Sequence, residues 1–274
     1  MTMPRTAVRG SFFGYNSTMS WSARRRLIYL LCMFIFFGLL LSVPAYMYLH
    51  RPPSCTDGIQ NQGETDVDKG GSCPKLDERM LAPHAVLWAR AFRVRDGSYS
   101  AAAYIENPNE NAAIVPTKYK FRLYDAENIL VAEREGSTFV MPGGITAVFE
   151  PAIDVGNRIV THTFFAFTAP PVWRRATVAL HDLRITKNTP TDTDTTPRVK
   201  ASVTNTGVST ISDMRIVAVV FDVAGNAFAS SQTRVDRLGA NESIPVVFTW
   251  PDPFVTTVGR IDILPIVIPR DVTP

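Results

Sequence analysis

Residues Phe92–Glu133 read FRVRDGSYSAAAYIENPNENAAIVPTKYKFRLYDAENILVAE. Short runs of β-branched and aromatic residues are broken there by Asn, Gly and Pro, and similar runs continue through the rest of the chain after Pro74. Turn signals spaced about 8–12 residues apart are typical of an all-β sandwich. Within the stretch, Tyr119, Phe121 and Leu123 alternate with polar neighbours, which predicts a strand with one apolar face.

The pattern occurs twice, and the second copy runs from Leu183 to Ser231. In each copy an alternating strand ends at an asparagine, Asn107 or Asn205, and the next strand ends at an aromatic residue followed by Asp125 or Asp222. Self-similarity of this length indicates duplicated domains. Because short polar side chains accept backbone N–H groups in turns, we expect these four residues to form turns and not to catalyse.

The string FRLYD, Phe121–Asp125, resembles the signature of the FxLYD domain family, small immunoglobulin-like (Ig-like) sandwiches of exported prokaryotic proteins. The second copy carries the looser VVFD, Val219–Asp222. The resemblance implies two tandem Ig-like β-sandwiches, at residues 84–170 and 171–274. It also implies a role in spacing, display or binding, with no known catalytic site.

On the N-terminal side, residues 27–49 contain no charged side chain and would make a helix of roughly 34 Å, enough to cross a membrane. The preceding tail, residues 1–26, is basic and ends in Arg24, Arg25 and Arg26, whereas acidic residues dominate after the span. This asymmetry predicts a single-pass anchor whose tail is cytoplasmic and whose C-terminal domains are extracytoplasmic, in the cell envelope. The arginine triplet would set that topology.

Val43-Pro44-Ala45 offers the alternative of a cleaved signal peptide. The apolar character continues past this point to Leu49, which favours an uncleaved anchor. Cys32 falls within the span and is expected to pack as a small apolar residue.

Residues 50–83 form a predicted acidic spacer that contains Cys55 and Cys73. An even pair of cysteines in an oxidising compartment predicts a disulfide. Two free thiols are the alternative if the host does not oxidise its exported proteins.

The sequence CTDGIQNQGETDVDKGGSC, Cys55–Cys73, resembles a short exported-protein motif, C-x-D-G-x-x-N-x-x-E-T-x-V-D-C-G-G-x-C, that has no assigned activity. Lys69 stands where the motif has a second cysteine, and Leu76 stands where another often follows. The loss of both would remove one whole bridge and leave Cys55 paired with Cys73.

The same loop concentrates side-chain oxygens of the kind that Ca²⁺ prefers. The candidate ligands are Asp57, Asn61, Glu64, Asp66 and Asp68. Their spacing is not that of an EF-hand, and Lys69 puts a positive charge among them. A hydrated, disulfide-closed spacer without metal is therefore the alternative.

Other chemistry has little support in the sequence. The net charge is +3 and no basic run lies outside the tail, so no nucleic-acid surface is predicted. The four histidines lack zinc-site spacing, and nucleophile and phosphate-loop motifs are missing from the sequence, so we predict that the chain is not an enzyme. Trp88, Trp173 and Trp250 are expected to plug core ends or a domain interface; the alternative is an exposed platform for polysaccharide.

The sequence therefore predicts a mainly β protein: a membrane helix followed by two sandwiches. The expected role is non-catalytic adhesion, display or scaffolding, with the membrane and an envelope protein or cell-surface ligand as partners and no cofactor beyond the possible Ca²⁺. Two alternatives stay open, an accessory subunit of a secretion or pilus-type complex and a small envelope hydrolase.

Overall fold

The computed structural model describes residues 20–49, 54–177, 182–268 and 270–271. By its internal contacts the chain divides into two units, Met1–Pro53 and Ser54–Pro274. Most of the tail, the junction at 50–53 and the segment 178–181 lie outside the described residues. The predictions for residues 1–19, His50 and His181 therefore have no structural counterpart here.

In the first unit, helix α1 spans Trp21–Leu49 and contains the predicted 27–49 span. Its most apolar window has a mean hydropathy of 2.5, and it is long and apolar enough to cross a membrane. Arg24, Arg25 and Arg26 lie in its first turns. Length and composition thus agree with a single-pass anchor.

The regular secondary structure of the second unit is mainly β-strand, as predicted. The first module contains β1 (Ala85–Arg95), β2 (Ser98–Asn107), β3 (Ala112–Tyr124), β4 (Leu130–Val140), β5 (Gly144–Asp154), β6 (His162–Phe167) and β7 (Trp173–Thr177). The second contains β8 (Leu183–Lys187), β9 (Arg198–Asn205), β10 (Ile211–Asp222), β11 (Ala227–Leu238), β12 (Ser243–Thr249), β13 (Val258–Ile266) and β14 (Arg270–Asp271). A short 3₁₀ helix, Glu78–Met80, precedes β1.

Both modules connect their strands in the same way. The first has a β1-β2-β5 sheet and a sheet in which β4 and β6 flank β3. The second repeats this with β8-β9-β12 and β11-β10-β13. The shared strand pairing supports the internal duplication that the sequence predicts.

The asparagines that end equivalent strands in the two modules also make equivalent hydrogen bonds. The side-chain amide of Asn107 donates to the carbonyls of Ala112 and Met141, at 2.7 and 2.8 Å. That of Asn205 donates to the carbonyls of Ser209 and Gly239, at 2.8 and 2.9 Å. Both asparagines are fully buried. Through these hydrogen bonds each one links two chain segments of its module.

Asp125 and Asp222 each cap a hairpin turn. Asp125 Oδ1 accepts from the amide of Ile129 at 2.8 Å, and Asp222 Oδ1 accepts from that of Asn226 at the same distance. Burial opposes ionisation of Asp125, but the Ile129 N–H and the Arg158 guanidinium together hold its pKa below the usual range. Both aspartates are turn formers, as predicted.

The two sandwiches are stacked, so that four sheets lie in successive layers. Strand β2 is buried on both faces: Ala101 and Ala103 belong to the first core, while Ala102 and Tyr104 join the second. Strand β10 is likewise buried from Ile216 through Phe221. The β1-β2-β5 sheet therefore packs against the β11-β10-β13 sheet, and an uninterrupted apolar run is what two-sided burial requires.

Equivalent positions on β3 and β10 carry charged side chains in the first module and apolar side chains in the second. On the outer face of β3, Lys120 lies 2.8 Å from Glu133 and Arg122 lies 3.0 Å from the same carboxylate. The equivalent residues of β10 are Val217 and Val219, both fully buried. The repeated face is charged where it meets solvent and apolar where it meets the other module, and a polar outer face closes the stack.

The backbone ties the end of each module to the first sandwich. The sequence places the module boundary at 170/171, whereas β7, Trp173–Thr177, pairs with Ala112–Ile114 of β3. Strand β14 then pairs with β7 instead of adding to a sheet of its own module. Residues just after the predicted boundary are thus hydrogen-bonded into the first sandwich.

The substitution Val219→Arg places at the interface the charge that Arg122 carries on the solvent face of the first module. An unpaired buried charge should lower the free energy of unfolding of the full chain by about 3 kcal/mol or more, measured by urea denaturation. The matched control is Val247→Arg on the outer face of β12, where the side chain is 45% exposed, and this should cost less than about 0.5 kcal/mol. Equal costs for the two variants would contradict the stacked arrangement.

Candidate functional site

The loop between α1 and the first sandwich holds the residues that the sequence offers as a site. Cys55 and Cys73 form a disulfide with their Cα atoms 5.4 Å apart, which confirms the predicted pairing. Cys73 is fully buried, whereas most of the loop around it is exposed. The disulfide therefore ties the exposed loop to its buried end at Cys73.

Asp57 organises the first turn of the loop. Its carboxylate accepts from the amides of Ser54 and Ile59, at 3.0 and 2.8 Å, and from the side-chain amide of Asn61 at 3.0 Å. The N–H of Ser54, followed by the Asn61 amide, holds the pKa of Asp57 below its ordinary value. Asp57 is thus held ionised by groups of the loop itself.

Glu64 and Asp68 connect the two halves of the loop. Glu64 Oε2 accepts from the amides of Asn61 and Asp68, at 3.1 and 3.2 Å, and both oxygens of Asp68 lie 3.2 Å from the amide of Gly58. The other oxygen of Glu64 lies 3.0 Å from Cys73 Sγ. Glu64 is buried, so its carboxylate packs against the disulfide inside the loop.

The fourth carboxylate, Asp66, faces cations. It lies 3.6 Å from Lys69 and 3.5 Å from Arg79. Lys69 thus takes part in an ion pair within the loop.

The five predicted Ca²⁺ ligands therefore use most of their oxygens to hold the loop together. Among the described residues, the one group of three metal-ligating side chains that converges within 4.8 Å is Cys55, Glu64 and Cys73, and its sulfurs are joined in the disulfide. Asn61 Oδ1 has no hydrogen-bond partner among the described residues. Calcium binding stays a prediction, and it would require carboxylates to exchange backbone N–H groups for the ion.

The loop is fastened to the first sandwich, although the sequence predicts a spacer. The amide of Leu76 donates to the carbonyl of Trp173 at 3.3 Å, and the amide of Arg175 donates to that of Pro74 at 2.6 Å. The Arg175 guanidinium reaches the carbonyl of Gly71 at 2.5 Å. The loop thus adds to the edge of β7 and covers one end of the first core.

The three tryptophans pack where the sequence expects them. Trp173 and Trp250 are 5% and 8% exposed and belong to the first and second cores. Trp88 is half-buried at the interface, with its ring 4.4 Å from that of Tyr104 and 6.2 Å from that of Phe221. None of the three offers an exposed platform for polysaccharide.

Sequence reasoning missed the polar contacts that orient the two sandwiches. Arg90 on β1 donates to the carbonyl of Ala227 at 2.6 Å, and the Tyr104 hydroxyl donates to Asp262 at 3.3 Å. Burial, together with the Asp262 carboxylate, raises the pKa of Tyr104 well above its usual value. Tyr104 therefore stays a neutral donor in the interface.

No protein-family model and no curated protein matches the sequence. The solved structures that align with it include a transglutaminase from red sea bream, with 10% identity over 69% of this chain and 32% of that chain, at a TM-score of 0.24. A protein named pT26-6p aligns with 7% identity over 69% and 62% of the two chains at 0.22, and a β-glucuronidase from Bacteroides uniformis with 13% over 64% and 22% at 0.19. Likeness at this level carries no argument about function.

The loop should respond to acid through Asp57. Its folded-state pKa lies below its ordinary value of 3.8, so its contribution to stability is fully present above pH 3.8 and is lost as the pH falls through the folded-state pKa. We expect the NMR amide shifts of Ser54 and Ile59 to be constant at neutral pH and to change below about pH 4.

The variant Asp57→Asn should remove that acid transition, whereas Asp194→Asn, in the Thr-rich loop before β9, should leave it unchanged. A transition that persists in Asp57→Asn would show that another carboxylate controls the loop.

Proposed function

We propose that this chain is a single-pass membrane protein with a cytoplasmic N-terminus, whose Ig-like, extracytoplasmic β-sandwiches serve adhesion, display or scaffolding at a prokaryotic cell envelope. Helix α1 supports the anchor, and the basic tail supports the orientation. The Cys55–Cys73 disulfide supports an oxidising compartment for the second unit.

The observation that carries the proposal is the stacking of the two sandwiches. Ala102 and Tyr104 of the first module share one buried cluster with Val217 and Val219 of the second. Sheets packed in this way move as one body, because sliding them would expose apolar surface or create voids. A rigid body is suited to holding a binding surface at a fixed geometry.

A non-catalytic role is supported by what the acidic side chains do. Asp125 and Asp222 cap turns, and Asp57 and Glu64 hold the disulfide loop, so these four carboxylates are engaged in structure. The resemblance of Phe121–Asp125 to the FxLYD signature points to the same kind of module.

The orientation can be tested with a membrane-impermeant maleimide on intact cells. A cysteine introduced by Val255→Cys, at a side chain that is 90% exposed, should be labelled, whereas one introduced by Ser11→Cys should be labelled only after the cells are opened. The reverse pattern would invert the topology. Release of the protein from membranes by alkaline carbonate would contradict the anchor.

The role can be tested by crosslinking in intact cells, capture of the chain and mass spectrometry. Recovery of the chain alone or with cell-wall material supports free-standing display or adhesion. A reproducible, stoichiometric set of envelope proteins supports scaffolding within a complex, such as a secretion or pilus-type assembly. Recovery of a cytoplasmic complex through the β-rich unit would contradict the proposal.

A further inference from the structure

The outer face of the β8-β9-β12 sheet is the solvent-facing side of the second module. Along β9, Val199, Ala201 and Val203 are buried in the core, so the residues between them point outward. Strands β8 and β12 alternate in the same way, with Ile185 and Val246 on the inner side. Because the β11-β10-β13 sheet of this module packs against the first sandwich, the β8-β9-β12 face is one of the two outermost surfaces of the stack.

The outward positions of this sheet carry positive charge and no negative charge. Arg184, Arg198 and Lys200 are exposed there, and β8, β9 and β12 contain no aspartate or glutamate. None of the three cations forms an ion pair within the described residues. Asp192 and Asp194 follow β8 in the loop that leads to β9. We call the surface that contains the three cations the cationic face.

The outermost sheet on the other side of the stack is charged in a different way. On β3, Lys120 pairs with Glu133 and Glu135, at 2.8 and 2.9 Å, and Arg122 pairs with Glu133 at 3.0 Å. Opposite charges on neighbouring strands stabilise a sheet, because each neutralises the other. The cationic face lacks such pairs, so its charges are free to meet those of a partner.

Hydroxyl groups lie between the cations. Ser243 Oγ is 2.9 Å from both Ser202 Oγ and Thr204 Oγ1, and we call these three groups the hydroxyl row. Arg184 is opposite Thr204 at one end of the row, and Lys200 is two residues beyond Ser202 at the other. Because each hydroxyl can donate and accept, the row can bind both hydroxyls and anionic oxygens.

The span of the cationic face decides the size of the ligand. Arg184 is opposite Thr204, and Arg198 is six residues away from Thr204 on β9, which is roughly 20 Å at about 3.3 Å per residue. A single ion or one sugar cannot contact cations that far apart, whereas an extended polymer with an anionic group in each repeat can. A polymer that alternates anionic groups with hydroxyls matches a face that alternates cations with hydroxyls.

The acidic disulfide loop of the same chain is on the opposite side of the stack. It adds to the edge of β7, which belongs to the sheet of β3, whereas the cationic face is on the last of the four sheets. Sheets pack about 10 Å apart, so three layers separate the two by about 30 Å. The loop therefore does not neutralise the face, and the face is directed away from the point at which the chain enters the second unit.

We propose that the cationic face binds a linear, hydroxyl-rich anionic polymer of the cell envelope. This inference rests on the proposed extracytoplasmic role and names its ligand class. The complementarity between an all-cationic face and a polyanion carries the assignment. The polymer lies extended along β9, with its charged groups on Arg184, Arg198 and Lys200 and its hydroxyls on the hydroxyl row.

The test is fluorescence anisotropy with the full chain in nanodiscs of zwitterionic lipid, with empty nanodiscs as the blank. The labelled probes are poly(glycerol phosphate), polygalacturonate, neutral dextran and duplex DNA, and co-sedimentation with phosphatidylglycerol vesicles is measured alongside. We expect at least one of the two anionic polymers to bind, dextran not to bind, and the binding to weaken as salt is raised from about 50 to 500 mM.

Three outcomes would overturn the proposal even if the topology and crosslinking results hold. They are no binding of either anionic polymer, equal binding of dextran, and tighter binding of duplex DNA or of the vesicles than of the polymers. The last would make the face a surface for nucleic acid or for lipid headgroups.

Two variants locate the binding. Arg184→Gln and Lys200→Gln should each raise the dissociation constant of the bound polymer about fivefold, because each removes one charged contact. The matched control is Lys118→Gln, an exposed cation on β3 in the opposite outermost sheet, and it should leave the affinity unchanged. All three side chains are exposed, so the melting temperature should stay the same. Unchanged affinity in both face variants, or an equal loss in Lys118→Gln, would contradict the assignment.

Discussion

The burial of Val217, Val219 and Phe221 against the β1-β2-β5 sheet is the contact on which the architecture of the second unit depends. The equivalent face of the first module carries Lys120 and Arg122 with their glutamate partners, and it lies in solvent. The same face of the duplicated module is therefore charged in the first copy and apolar in the second. Because apolar area removed from water stabilises in proportion to its extent, the apolar version requires the other module to cover it.

Several other features follow from this contact. The three consecutive alanines, Ala101–Ala103, have a place because β2 faces a core on each side and small side chains let both sheets approach. The Tyr104–Asp262 and Arg90–Ala227 hydrogen bonds orient the two sandwiches relative to each other, because apolar packing alone is not directional.

Local chemistry could be predicted from the sequence, and long-range packing could not. The membrane helix, the alternation around Phe121, the turn residues Asp125 and Asp222 and the Cys55–Cys73 bridge each depend on neighbours in the chain or on a simple pairing argument. The stacking was missed, although aligning the two copies would have shown charged residues replaced by valines. The docking of the loop was missed because it depends on backbone groups, which carry no sequence signal.

The rigidity of the stack is the central claim and can be measured by electron–electron double resonance. Spin labels at Ser137→Cys on β4 and Val247→Cys on β12, in a Cys32→Ser background, report the distance between the two outermost sheets. A stacked pair predicts a single narrow distance distribution, unchanged by salt. A broad or bimodal distribution would show two sandwiches that move independently, and would contradict the account.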